Sequence, residues 1–291
     1  MNKFKGTGVA IVTPFNDDKS VDYSALEKLI KHLTSNGVDY LVVQGTTGES
    51  VTLTTKEKKE VLDFVIKVNQ GNLPIVYGIG GNNTMALIEA IQNTNLTGVD
   101  AILSVSPYYN KPTQEGIYQH YKAIAEICPV PIILYNVPAR TGSQMDAETV
   151  LRLAKDFKNI IGVKEASGVM FHAMKIIKNK PQDFLVISGD DILNLPIISC
   201  GGDGVISVLA NAFPKGYSTM VKAALNGDFE EAKKQHYKYF DIIHYLFVEG
   251  NPSGVKAALK ILNICNDVVR LPLVNVSEST YKAIENQIKN Y

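Results

Sequence analysis

One pattern recurs along the 291 residues of this chain and constrains its fold more than any other feature. Short apolar runs of strand length end at turn-forming or polar residues, and an amphipathic stretch of helical period follows each. The eight runs occupy residues 8–15, 40–45, 74–80, 101–107, 131–138, 160–167, 184–190 and 204–211. Their starts lie 20–34 residues apart, the size of one strand–helix unit. Eight such units in series predict an α/β fold, a closed (β/α)8 TIM barrel.

The main alternative is a doubly wound open sheet. That fold usually has fewer strands and carries a phosphate-binding glycine fingerprint. The chain has no GxGxxG that opens a helix after the first run, and no GxxxxGK[ST]. The sequence therefore favours the barrel.

The segments between and after the runs carry helix signals. Asp22 precedes apolar residues at helical spacing and is expected to cap a helix. Thr54 and Glu57 have the spacing of a capping box. Roughly 80 residues follow the eighth run, and they predict helices near 214–226, 228–248, 252–264 and 277–290. Because a barrel needs only one helix after its last strand, we divide the chain into a catalytic barrel at 1–225 and a C-terminal helical extension at 226–291.

Composition excludes several classes of protein. Lys plus Arg and Asp plus Glu are equal at 29 each, which argues against a nucleic-acid partner. No apolar run approaches the ~20 residues of a membrane helix, and we read the first run as a strand rather than a signal peptide. The three cysteines form no CxxC pair, as in reduced cytoplasmic proteins. The five histidines show no HxH or HExxH spacing, so we expect no metal site.

The sixth run, IIGVKEASG at 160–168, contains an unexpected lysine. Lysine is rarely buried in an apolar strand unless something pairs with it or uses it. If Lys164 faces the barrel interior near the carboxyl ends of the strands, where barrel enzymes hold their active sites, burial disfavours its charged form and leaves a nucleophilic amine. Such amines form Schiff bases with carbonyl substrates. The alternative is an alkyl stem that carries the ammonium out to solvent.

Other polar residues gather at the predicted strand ends. Tyr135 lies in the fifth run, and because neighbouring strands are ~4.8 Å apart, an inward Tyr135 would approach Lys164. A phenol there could carry protons during imine formation, although a core tyrosine with a satisfied hydroxyl is the alternative. Thr46, after the second run, could extend the proton path. Arg140, one of three arginines, follows the fifth run and suggests a substrate with a second acidic group.

Six motifs occur in order along the chain: GTTGES, SPYYNKP, LYNVPARTG, GVKEASG, SGDD and GGDGVISVLAN. Together they resemble the dihydrodipicolinate synthase family, within the pyruvate-dependent class I aldolases that include N-acetylneuraminate lyase. The resemblance covers essentially the whole chain. It implies a lyase that uses no cofactor and condenses pyruvate with L-aspartate 4-semialdehyde through a lysine Schiff base. The product would be 4-hydroxy-tetrahydrodipicolinate, on the route to diaminopimelate and lysine.

The resemblance also implies roles for individual residues. Lys164 would form an imine and then an enamine with pyruvate. The proton relay would be Tyr135, Thr46 and Tyr109, with Tyr109 reaching into the neighbouring subunit's site of a homodimer or homotetramer. Thr47 and its backbone would hold the pyruvate carboxylate.

The second substrate would meet a further set of residues. The resemblance implies that Arg140 binds the semialdehyde carboxylate, and that Gly189, Asp190 and Ile206 shape the pocket beside the lysine. The Ile206 carbonyl would act on the second substrate's amine or on the adduct. Sialic-acid lyases resemble the chain in the lysine and tyrosine but typically show GSTGE and lack the arginine. Two alternatives stay open: a related aldolase for N-acetylneuraminate or a keto-deoxy sugar acid, and a barrel that has lost catalysis and serves as a scaffold.

Two departures from the family pattern affect what is expected. The usual NPIPVK appears as NPSGVK at 251–256, and because it lies in the C-terminal helices we expect little effect on the imine chemistry. Lysine-inhibited members carry two histidines and a glutamate where this chain has Thr55, Lys58 and Ala86. Three other positions match the family's lysine ligands: Ser50, Asn82 and Tyr108. A cationic Lys58 at a site for lysine predicts weak or absent inhibition by L-lysine.

Overall fold

The computed structural model describes residues 2–291 and contains eight parallel strands in this part of the chain. They are β1 (Gly6–Ala10), β2 (Tyr40–Val43), β3 (Ile75–Gly78), β4 (Ala101–Val105), β5 (Ile132–Asn136), β6 (Ile160–Glu165), β7 (Leu185–Ser188) and β8 (Gly204–Ser207). Each strand pairs with the next in sequence, and β8 pairs with β1, so the sheet closes into a barrel. The predicted (β/α)8 barrel is confirmed, and the open sheet is excluded by the pairing of the first strand with the last.

Helices connect the strands and continue beyond the barrel. They are α1 (Tyr23–Thr34), α2 (Thr55–Asn69), α3 (Thr84–Asn93), α4 (Gln114–Ala125), α5 (Pro138–Thr141), α6 (Ala147–Asp156), α7 (Met170–Asn179), α8 (Asn194–Ser199), α9 (Pro214–Leu225), α10 (Phe229–Phe247), α11 (Ser253–Ile261) and α12 (Glu278–Lys289). The caps predicted at Asp22 and Thr54 are both confirmed, the second as a full capping box with Glu57. The four helices predicted after the last strand correspond to α9–α12. The division into a barrel at 1–225 and an extension at 226–291 stays a prediction.

In the part of the chain that the structure describes, no helix has both the length and the apolar character needed to cross a membrane.

Two layers of apolar side chains stabilise the barrel. One layer lies between the strands and the surrounding helices, as expected for a parallel sheet covered on its outer face. The other fills the barrel interior and comprises Phe4, Ala10, Tyr40, Val42, Val76, Ala101, Leu103, Ile133, Tyr135, Val137, Ile161, Leu185, Ile187 and Ile206. The interior is therefore a packed core rather than a pore. Catalytic groups have room only toward the ends of the strands.

A β-bulge in β6 decides which of its side chains enter the barrel. Ile132 of β5 pairs with Ile160, but the next residue, Ile133, pairs with Gly162, so β6 carries one extra residue at this point. Ile160 and Val163 both pack in the outer layer, which strict alternation would forbid. The bulge shifts the alternation by one residue, as such a slip must. Lys164, four residues after the outward Ile160, therefore faces inward.

Candidate active site

The amine of Lys164 lies inside the barrel against the ring of Tyr135. The two residues are register partners on β5 and β6, and the Lys164 Nζ stands 4.4 Å from the centroid of the Tyr135 ring. Lys164 is 6% exposed. Two other shielded lysines of the described chain, Lys180 and Lys256, pair with carboxylates, whereas the charge contact of Lys164 is with an aromatic face. The structure thus brings together the amine and the phenol that the sequence singled out.

Gly189 leaves room for the Lys164 side chain. A Cβ built on Gly189 would lie 2.9 Å from the Cε of Lys164 and 2.6 Å from the Cβ of Ala166. Both distances are shorter than the ~3.5–4.0 Å of favourable carbon contacts. Ile206, which is buried on β8, belongs to the same interior layer as Tyr135. Gly189 therefore lies against the lysine, while the role of Ile206 beside it stays a prediction.

The GTTGES segment forms a tight turn at the end of β2. Thr46 begins a 3-10 turn that spans Thr46–Gly48, and Glu49 closes it in the left-handed region with φ 52°. The Oγ1 of Thr47 is buried and accepts a hydrogen bond from the Asn251 Nδ2 at 3.0 Å. A hydroxyl that accepts from an amide keeps its own proton for another acceptor. Thr47 thus retains a donor.

Three other sequence-predicted residues are exposed or already hydrogen-bonded. Arg140 is exposed on the short helix α5 directly after β5. Tyr109 is 89% exposed and has a positive φ of 75°, a region that bulky residues rarely adopt. The carboxylate of Asp190 accepts hydrogen bonds from the backbone N–H groups of Ile192 and Leu193. Within one chain, the side chains of Arg140 and Tyr109 are thus open to solvent.

Residues after α10 contact the GTTGES turn, an arrangement that the sequence analysis did not predict. The NPSGVK segment packs against the GTTGES turn, because Asn251 bonds to Thr47 and the Lys256 Nζ lies 2.5 Å from the Glu49 Oε1. The side chains of Lys256 and Glu49 are 0% and 1% exposed. Lys256 lies within the apolar run VKAALKI. Because a lysine is rarely buried without a partner, its position could have indicated a buried ion pair from the sequence.

The buried pair formed by Lys256 and Glu49 is stabilised by further hydrogen bonds to both side chains. Burial lowers the pKa of Lys256, and the adjacent carboxylate of Glu49 opposes that shift. The second oxygen of Glu49 accepts from the backbone N–H of Arg270 at 3.0 Å, and the Lys256 Nζ also donates to the Val268 carbonyl at 2.8 Å. A buried ion pair is tolerated when its remaining donors and acceptors are satisfied in this way.

Comparisons with known proteins indicate the family of this chain. The model of the dihydrodipicolinate synthetase family matches residues 3–291. The 4-hydroxy-tetrahydrodipicolinate synthase of Flavobacterium psychrophilum is 55% identical over 278 residues, which cover 96% of this chain and 95% of that protein. The crystal structure of dihydrodipicolinate synthase from Aquifex aeolicus superposes with a TM-score of 0.96 at 40% identity, covering 99% of this chain and 98% of that one.

A structure described as the first monomeric dihydrodipicolinate synthase variant is also similar, with a TM-score of 0.96 at 39% identity and coverage of 99% of this chain and 96% of that one. The match of the family model extends over almost every residue that the structure describes. The chain belongs to the dihydrodipicolinate synthetase family.

Proposed function

We propose that the protein is a 4-hydroxy-tetrahydrodipicolinate synthase, a Schiff-base lyase that condenses pyruvate with L-aspartate 4-semialdehyde. Family membership supports the reaction class. The observation that carries the proposal is the buried Lys164 amine, which lies against the Tyr135 ring rather than against a carboxylate. An amine in that position is free to react with a carbonyl carbon.

The first half of the reaction forms an enamine on Lys164. The amine attacks the C2 carbonyl of pyruvate, the carbinolamine loses water, and the resulting imine loses a methyl proton. Each step moves a proton, and the phenol of Tyr135 is the nearest acid–base group on the adjacent strand. Thr46, at the end of β2, extends the proton path from the phenol in this proposal.

Thr47 is proposed to hold the carboxylate of pyruvate. Its hydroxyl accepts from Asn251 and keeps a proton to donate. Hydrogen bonds to a carboxylate are stronger than those between neutral groups. A carboxylate fixed at the turn after β2 would direct the keto carbon toward the lysine on β6, across the barrel interior.

The second half joins the enamine to the aldehyde of L-aspartate 4-semialdehyde. The enamine carbon attacks the aldehyde carbon, and the amine of the adduct then displaces Lys164 by transimination to close the ring. Arg140 is exposed at the end of β5 and is proposed to grip the semialdehyde carboxylate with its planar guanidinium. The roles of Asp190 and of the Ile206 carbonyl in shaping this subsite stay predictions.

Assembly and location are further parts of the proposal. The exposure of Tyr109 supports its proposed role in a neighbouring subunit's site, because the side chain is largely uncovered in its own chain. A homodimer or homotetramer would supply that neighbour. A cytoplasmic location is supported by the free, buried thiols of Cys128 and Cys265.

Borohydride reduction tests the central step. Protein incubated with pyruvate and borohydride is expected to carry a stable adduct on the peptide that contains Lys164, as found by mass mapping. The Lys164→Ala variant should carry none, whereas Lys180→Ala, which removes another shielded lysine, should be labelled normally. Turnover of pyruvate with L-aspartate 4-semialdehyde, compared with cleavage of N-acetylneuraminate, identifies the acceptor. Labelling elsewhere, or faster cleavage of the sugar acid, would contradict the proposal.

A further inference from the structure

A closed network of buried polar groups lies on the outer face of β5 and β6, directly behind the catalytic pair. Glu165 follows Lys164, and Asn136 follows Tyr135, so both side chains point away from the barrel interior. The Asn136 Nδ2 donates to the Glu165 Oε2 at 2.9 Å, and the backbone N–H of Ser167 donates to the Oε1 at 2.8 Å.

The network closes through α7 and the segment before α6. The Nδ1 of His172 lies 3.1 Å from the Glu165 Oε2, and the Nε2 lies 3.0 Å from the Met145 carbonyl oxygen. The backbone N–H of Met145 in turn donates to the Asn136 Oδ1 at 3.0 Å. Asn136, Met145, Glu165 and His172 thus form a ring, called here the Glu165–His172 network. Each of its residues is less than a tenth exposed.

The geometry defines the protonation state of His172. One ring nitrogen faces a carboxylate and the other faces a backbone carbonyl, and both partners are acceptors. A neutral imidazole has one N–H and one lone pair, so it would direct a lone pair at one of these oxygens. The imidazolium donates through Nε2 to the Met145 carbonyl and holds its positive charge beside Glu165 through Nδ1, a contact that is an ion pair rather than an aligned hydrogen bond. The contacts are therefore those of a protonated histidine whose charge is compensated by Glu165.

The pKa shifts of Glu165 and His172 agree with a protonated histidine beside a charged carboxylate. Burial alone would raise the pKa of Glu165, but the contact with His172 and the bonds from Ser167 and Asn136 outweigh it, and the net shift is downward. Burial alone would lower the pKa of His172, but Glu165, the Met145 carbonyl and Asp146 together outweigh burial, and the net shift is upward from 6.5.

Several other charged groups lie around Glu165 and His172. Asp146 and Glu148, at the start of α6, add negative charge near His172, and Glu148 pairs with Lys175 of α7. Asp190 lines one small cavity together with Glu165. The acidic surroundings on α6 favour the imidazolium, since opposite charges stabilise the charged form.

We propose that Glu165 and protonated His172 are positioning residues that hold the phenol of Tyr135 and the amine of Lys164 at their working separation. The pair ties the end of β6 to α7, and the bond from Asn136 to Glu165 ties the end of β5 to the end of β6, one residue beyond each catalytic group. Through Met145 it also anchors the segment that follows Arg140. This inference rests on the proposed function, because the working separation is that of imine chemistry. Loss of the imidazolium proton removes the ion pair with Glu165 and weakens the link between the end of β6 and α7.

A titration of the wild-type protein tests the charge state directly. Ring-labelled histidine allows the imidazole signals to be followed by NMR against pH, and the signal of His172 is the one absent from the His172→Gln variant. We expect its midpoint above 6.5, the ordinary value for histidine, and we expect Glu165→Gln to move the midpoint downward. A wild-type midpoint at or below 6.5 would overturn the inference.

Kinetics tests the positioning role. We expect kcat for the condensation to fall by about 10²-fold in His172→Gln, the cost of a ~1 Å misplacement, with KM for pyruvate little changed. Wild-type kcat should decline on the alkaline side with the midpoint found by NMR. His172→Arg, which stays charged and donates through a planar fork, should restore activity and remove that decline. His236→Gln, a change at an equally buried histidine on the distant α10, is the matched control and should leave the profile unaltered.

The two proposals fail in different ways. If wild-type protein does not condense the two substrates, the proposed function is refuted, and the His172 midpoint still decides for or against the charged pair. If the enzyme is active but His172→Gln keeps wild-type kcat and pH profile, the positioning role is refuted and the proposed function stands. If His172→Gln loses activity because it unfolds, His172→Arg takes its place in this test. Failure of His172→Arg to restore kcat and to remove its alkaline decline then counts against the inference.

Discussion

Replacing Gly189 by alanine tests whether the position of the Lys164 amine is set by the space beside it. The added methyl carbon would lie 2.9 Å from the Lys164 Cε, 3.2 Å from its Cγ and 2.6 Å from the Cβ of Ala166. No positive φ is involved at Gly189, so the perturbation is steric rather than conformational. The Ala166 contact is with a side chain that has no rotamer to change. Either the Lys164 side chain and its strand or the backbone at residue 189 must therefore shift, and both change the position of the amine relative to the pocket.

The magnitude follows from these distances. Restoring an ordinary carbon contact of ~3.5–4.0 Å requires a displacement of the Lys164 Cε by about 0.6–1 Å. A misplacement of ~1 Å costs about 10²-fold in rate, which corresponds to about 2.7 kcal/mol of barrier height. Overpacking of a filled interior costs a further ~1–3 kcal/mol in the free energy of unfolding.

The assay measures kcat for the condensation, the rate of borohydride trapping with pyruvate, and denaturant unfolding on the same preparation. Gly189→Ala is expected to lower kcat and the trapping rate together by about 10²-fold. Gly81→Ala is the matched control, because a Cβ on Gly81 meets no atom within 4 Å. A folded Gly189→Ala protein that traps pyruvate at the wild-type rate would refute the reasoning. Equal losses in both variants would do the same.

Three further outcomes are expected. Lys256→Met should lower the free energy of unfolding by about 3–5 kcal/mol, because it leaves the buried Glu49 carboxylate unpaired; adding Glu49→Gln should recover part of this loss in denaturant titrations. Arg270 holds the pKa of Glu57 at about 2, below its usual 4.5, so the pair stabilises the fold fully above pH 4.5 and loses that contribution as the pH falls toward 2. The unfolding midpoint of Glu57→Gln should therefore lie below that of wild type at pH 7 and meet it near pH 2. Initial-rate assays should show little inhibition by millimolar L-lysine, given the cationic Lys58; strong inhibition below that concentration would contradict this expectation.

The barrel was predictable because its signal is periodic and local. Eight apolar runs at regular spacing specify eight strands, and closure follows once each strand pairs with its successor. Helix starts at Asp22 and Thr54 were equally readable, since a cap depends on residues within one turn. The prediction that Tyr135 approaches Lys164 held as well, because adjacent parallel strands in register bring such residues together.

Contacts between segments distant in sequence could not be predicted from local patterns. The pairing of Lys256 with Glu49 joins residues 207 positions apart, and no local spacing encodes it. The contacts of His172 were hidden for another reason: it lies in a helix without a metal-binding pattern, and its partners come from β6 and from the segment before α6. Both cases involve a buried charge whose partner is brought near only by the closed barrel.

The bulge in β6 determines whether the Lys164 side chain points into the barrel or out of it. Under strict alternation, the outward Ile160 would also place Lys164 outward, among the apolar side chains that α6 and α7 present to the sheet. An unpaired ammonium there would cost several kcal/mol. One extra residue reverses the direction, and Gly162 makes the bulge possible, because a Cβ at that position would lie 2.9 Å from both the Cβ and the carbonyl oxygen of Leu185. The inward direction of the Lys164 amine therefore depends on a backbone irregularity three residues away.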